Sequence, residues 1–112
     1  MRTDRDRLTD ILDSIHRVKE KIPGTREEFI RSDLLQVWAI YHIQVIGEAA
    51  NGLSPEFRTT YTSIPWQDVI GMRHILVHHY FGVDVSEVWN TATIDLPRME
   101  REIRMILERD LQ

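Results

Sequence analysis

The chain has 112 residues, a net charge of −4, 42% apolar and 29% charged residues, and no cysteine. That length suits one domain over residues 1–112, too short for two independent cores, with a globular composition rather than a disordered or fibrous one. The missing cysteines exclude a disulfide framework, a thiolate zinc site and a cysteine nucleophile, and the acidic balance argues against a coat for nucleic acid.

The opening residues, Met1 to Arg7, alternate basic and acidic groups, and no long apolar run follows them. Neither a signal peptide nor a membrane span is expected, and a cytoplasmic protein is. Leu8, Ile11, Leu12, Ile15, Val18 and Ile22 recur at three- and four-residue steps, one stripe of a first helix that Pro23-Gly24 stops. Thr25, with Glu28 three residues on, forms a capping box for a second helix. Phe29, Ile30, Leu34, Val37, Trp38, Tyr41, Val45 and Glu48 continue it without a proline to Asn51-Gly52. At roughly 25 residues this helix is expected to be about 38 Å long and the spine of the fold.

Ser54-Pro55 reads as a cap and a first-turn proline for one short helix. Ile64-Pro65-Trp66 opens a third long helix that runs to about Tyr80, with Gly82 as the breaker. Asp84 and Glu87 cap a helix carrying Val85, Val88, Trp89 and Ala92. Asp95-Leu96-Pro97 restarts the chain into a last helix striped by Met99, Ile103, Ile106 and Leu107. No window alternates in the manner of a strand. The expected fold is all-α, an antiparallel helical bundle with short connections.

Chemistry concentrates on the third long helix. Between Leu34 and Pro97 the only basic residues are Arg58 and Arg73, against six acidic ones. Arg73 shares a helical side with Trp66, Val69, Ile70, Leu76, Val77 and Tyr80, so its guanidinium must be paired or face a wet groove. A structural salt bridge to Glu48 is one account of it; a functional cleft is the other. His74 and His78 stand one turn apart, a spacing that suits two imidazoles on a metal, but no third ligand accompanies them. A tyrosine on an apolar stripe, such as Tyr80, ordinarily packs its ring and bonds its hydroxyl. Arg98, Arg101 and Arg104 form a candidate phosphate ridge, but the interleaved Glu100 and Glu102 favour a solvated face. Trp38, Trp66 and Trp89 read as core or interface anchors rather than base-stacking platforms.

Arg73, four residues, His78, one residue and Tyr80 together resemble the RX4HXY pattern of HepT toxins in the HEPN superfamily. The resemblance continues through Val45–Ala50, Leu53–Phe57, Ile64–Trp66, Gly71–Arg73, His79–Asp84, Val88-Trp89 and Asp95–Pro97, in order and with similar spacing. It implies a HEPN-type bundle that forms a homodimer through the helices bearing Arg73 and His78, with both residues in a cleft between protomers. It implies a metal-independent ribonuclease that needs no cofactor, the toxin of a toxin–antitoxin pair. The partner it implies is an MntA-like minimal nucleotidyltransferase antitoxin that adenylylates Tyr80 from ATP. The residue after the arginine is often asparagine in such motifs and is His74 here, a possible second proton-transfer group.

The residue types suit that chemistry. RNA carries its own nucleophile in the 2′-hydroxyl, so a base and an anion stabiliser suffice. Histidine exchanges a proton near neutrality, and arginine offers a permanent planar charge to a phosphate gaining charge. Positions 73 and 78 are about 140° apart on a regular helix, so convergence needs the long arginine stem, a distorted helix end near Gly82 or a second protomer. The alternative reading is a non-catalytic HEPN-like module that docks a nucleotidyltransferase, for which an intact Arg73–His78 pair is unnecessary.

Overall fold

The computed structural model describes residues 2–22, 24–78 and 84–110, with the backbone alone over 73–78. The described helices are α1 (Asp4–Lys21), α2 (Arg26–Ile30), α3 (Asp33–Asn51), α4 (Pro55–Thr60), α5 (Trp66–His78), α6 (Val85–Asn90) and α7 (Leu96–Arg109). A π-helical turn, Thr91–Asp95, joins α6 to α7. No strand occurs among the described residues, and the fold is an all-α helical bundle. None of these helices is long and apolar enough to cross a membrane.

α1 begins at a reciprocal capping box: Thr3 Oγ1 accepts from the Asp6 amide at 3.1 Å, and the Thr3 amide donates to the Asp6 carboxylate at 2.9 Å. Those bonds hold the Asp6 carboxyl below its ordinary pKa. The helix ends where Ile22 turns extended (ψ 130°), the conformation that a following proline favours. α3 lies between α1 and α5. It runs antiparallel to α1, because Trp38 Nε1 donates to Arg17 O (3.0 Å), His42 meets Ser14 (3.3 Å), and beyond its end the Ser54 amide and hydroxyl both donate to Asp4 (2.8 Å). Leu8, Ile11 and Ile15 of α1, Ile43, Ile46 and Ala50 of α3, and Ile103 of α7 are buried in one core. Phe29 packs on Trp89, ring centroids 5.5 Å apart, which pins α2 to α6. The nearly buried Glu100 carboxylate accepts from Lys19 (2.9 Å) and Arg104 (3.2 Å), tying α7 to α1. The Lys19 bond, then the Arg104 bond, holds its pKa below the carboxylate norm against the cost of burial.

Two sequence expectations change. The single second helix is two, α2 and α3, parted at Arg31-Ser32. Ser32 leaves the helical path to cap α3, its hydroxyl accepting from the Leu35 amide at 3.2 Å, while Gln36 Nε2 donates to the α2 carbonyls of Phe29 and Ile30 (3.0 and 2.9 Å). The spine is therefore 19 residues, about 28 Å, instead of the expected length. Leu34, Val37 and Tyr41 are exposed, with Glu48 on the same outer side, and the core is met by Ala39, Ile40, Ile43, Ile46, Ala49 and Ala50. α3 is apolar nearly all round, and its small residues face inward because they let α1 and α5 approach closely. Finally, Asp95-Leu96-Pro97 is no restart. The helical path continues through the π turn, where the Leu96 amide donates to the Thr91 carbonyl five residues back. Pro97 has no amide for the Thr93 carbonyl and its ring crowds that group, and the widened turn accommodates both effects.

His42 is buried between α3 and α1, its ring edge-on to Trp38 and Tyr41 (centroids 4.6 and 5.0 Å), with Nε2 buried and lacking a hydrogen-bond partner. Burial, then the charge of Arg17, lowers its pKa; Asp13 opposes the shift. A folded pKa below the unfolded 6.5 means that the unfolded chain takes up the proton first as pH falls. Stability from neutral His42 is thus complete above that value and is lost as pH drops through the depressed folded pKa. His42→Phe keeps the aromatic contacts and removes the titration. Urea unfolding followed by circular dichroism is expected to show parity with wild type near neutrality and a shallower loss of stability on acidification. An unchanged acid profile assigns the loss to other groups.

Candidate active site

α5 is placed by its first turn. Trp66 is buried, its Nε1 donates to the Tyr61 carbonyl at 2.8 Å, and its ring lies 6.0 Å from that of Phe57. Val69, Ile70 and Met72 pack against the core, and Thr91 of the π turn donates to Met72 Sδ at 3.5 Å. Those contacts fix the rotation of the helix one residue before Arg73. Arg73, His74 and His78 all stand on α5, and their side chains lie outside the described residues, as does Tyr80 altogether. The pairing of Arg73 with Glu48 falls outside with them. Glu48 itself is exposed on α3 and lines a groove against Arg7, Asp10 and Asp13 of α1.

The backbone nonetheless decides one point. α5 is α-helical without interruption from Trp66 to His78, so no distortion lies between positions 73 and 78. They are separated by about 140° around the axis and about 7.5 Å along it. The distorted helix end near Gly82, one of the three routes to convergence, lies outside the described residues. His74 and His78 stay one turn apart, and among the residues with described side chains no group of three His, Asp or Glu is placed to hold a metal ion.

The remaining candidates are described in full. Trp38 and Trp66 are tied to backbone carbonyls and Trp89 stacks on Phe29, so all three serve the fold as read. Arg98, Arg101 and Arg104 are exposed on α7, with Arg104 engaged by Glu100. Sequence reasoning did not single out the buried His42–Ser14 pair or Thr91. Their only signal was polarity within otherwise apolar helical faces.

The fold is an all-α bundle in which one helix, α5, carries Arg73, His74 and His78. The Ribonuclease HepT-like family matches residues 11–106, and the chain belongs to that family. A protein of Caldanaerobacter subterraneus named "Putative RNase" is 32% identical over 98% of this chain and 99% of its own length. "Probable ribonuclease HepT" of Thermococcus cleftensis is 34% identical over 88% of this chain and 91% of its own. A Methanocaldococcus jannaschii protein named "Gamma-glutamylcyclotransferase and putative RNase" is 40% identical over 90% of this chain, which spans only 46% of that protein. No solved structure matches the chain.

Proposed function

We propose that the chain is a metal-independent endoribonuclease, the toxin of a toxin–antitoxin pair acting on cytoplasmic RNA. Its antitoxin is a minimal nucleotidyltransferase that silences it by adenylylating Tyr80. The observation that carries this reading is Arg73 and His78 on one unbroken helix, within a chain matched to the HepT-like family over residues 11–106. In the proposed step the 2′-oxygen attacks the adjacent phosphorus as a histidine removes its proton. The P–O5′ bond breaks, and the departing oxygen takes a proton from a second acid. Arg73 binds the phosphoryl oxygens as their charge grows.

One chain supplies one motif histidine, and its arginine stands on another face of the helix. A homodimer supplies the second acid and brings the groups together. That contact is expected through α5 itself; the exposed Leu34, Val37 and Tyr41 of α3 (78%, 50% and 57%) lie on a face that adjoins the α1 groove and belong to a different surface.

Cleavage of a mixed RNA pool with excess EDTA tests the chemistry. Products ending in 2′,3′-cyclic phosphate and 5′-hydroxyl are expected. Light scattering is expected to give twice the chain mass of 13.3 kDa. A requirement for divalent metal overturns the mechanism, absence of cleavage favours the docking-module reading, and a clean monomer overturns the shared cleft.

A further inference from the structure

A cavity of about 210 Å³ lies between α3, α5, the π turn and α7. Protein interiors are close-packed and hold few voids larger than one water, which occupies about 30 Å³, so an opening of this size has room for an organic molecule. Its wall is apolar: Ile43 and Ile46 of α3, Val69 and Met72 of α5, Leu96 and Met99 of α7. The widened turn after Thr91 sets the start of α7 at one edge, and the Thr91–Met72 contact closes that side. π-helical turns recur at functional sites because the extra residue reshapes the adjoining surface.

The mouth has the opposite character. Asp68 and Asp95 line it and are exposed, and neither side chain is paired or hydrogen-bonded with a described residue. Glu102 adds a third carboxylate, bonded by the Ser63 hydroxyl at 3.0 Å, and Arg98 is the one cation among the described residues there. Three carboxylates against one guanidinium leave the rim anionic. A carboxylate-bearing or phosphorylated ligand is repelled there, and a neutral one gains only from the apolar wall. A molecule with an apolar body and one ammonium group satisfies both parts, because its ring fills the wall and its charge reaches Asp68 and Asp95. The geometry points to a binding site for a small organic cation of that kind. Its described lining holds none of the residues assigned to RNA cleavage, so its test is independent of the ribonuclease reading.

Isothermal titration of the full chain with 2-phenylethylammonium, 2-phenylethanol and 3-phenylpropionate, at one ionic strength, tests it. Saturable one-to-one binding is expected, with the cation about tenfold tighter than the alcohol and the carboxylate weakest. The exposed pair Asp68→Asn with Asp95→Asn should bring the cation to the alcohol's affinity and leave the alcohol unchanged. Val69→Phe, which fills the wall, should weaken both, with thermal melting confirming that each variant is folded. No saturable binding, equal affinity for all three molecules, or a cation preference that survives the Asn variants overturns the assignment.

Discussion

Arg73→Ala is expected to lower RNA cleavage by about 10²–10³-fold, the loss seen when one preorganised anion stabiliser is removed. His78→Ala is expected to fall in the same range or below, because a positioned acid–base group contributes about 10²–10⁴-fold. The two losses should differ in kind. Without His78 the dependence of rate on pH near neutrality flattens, since the titrating group is gone. Without Arg73 that dependence persists at a lower level. Arg73→Lys keeps the charge but not the planar two-pronged donor, so it should recover only part of the loss. The unbroken helix between the two positions adds a sharper test. If the groups meet across protomers, mixing the Arg73→Ala and His78→Ala proteins yields heterodimers with one intact arginine and one intact histidine per cleft. Activity is then expected above the His78→Ala parent, which has no motif histidine in its cleft, and below wild type, which has two. Wild-type rates in either folded variant, by circular dichroism, overturn the assignment of roles.

The legibility of this fold varied with how strongly local chemistry competed with packing. α1 and α4 announce themselves through an apolar stripe, a serine cap and a first-turn proline, and the structure places them accordingly. The buried face of α3 was not legible, because periodicity identifies a buried face only when the other face is polar. Leu34, Val37 and Tyr41 form as good a stripe as Ile40, Ile43 and Ile46, and only the positions of α1 and α5 decide between them. The break at Ser32 was readable in principle, since Ser32-Asp33 is a cap followed by a first-turn acid, but the surrounding apolar run masked it. The π turn was not readable. A proline in a helical pattern signals either a restart or a widened turn, and the Leu96–Thr91 bond that decides for the latter is a property of the folded chain. For the site, the residue types and their spacing were legible and their three-dimensional meeting was not. Spacing fixes angles along one helix, whereas a second protomer is invisible to it.

Tyr80→Phe is expected to cleave RNA within about threefold of wild type and to escape silencing by the antitoxin, because its hydroxyl is assigned to regulation and not to the reaction. In the proposed modification the Tyr80 phenolic oxygen attacks the α-phosphorus of ATP. Pyrophosphate leaves, and the phenolic proton passes to a base of the partner enzyme. The product carries a phosphodiester anion seven residues from Arg73, two positions that share a face in a continuous helix. That anion competes with RNA for the guanidinium, and the adenine occupies the path of a substrate base. Modified wild-type protein should therefore lose RNA binding along with about 10²-fold or more of its activity, as if the arginine were removed. Its melting temperature should barely move, since the modification is assigned to blocking RNA and not to unfolding the bundle. Intact mass, RNA binding and cleavage after incubation with the nucleotidyltransferase and ATP test the whole chain of events. If Tyr80→Phe still gains the mass of AMP and is silenced, another residue is the acceptor. If it is folded and inactive before any modification, the hydroxyl belongs to the catalytic machinery.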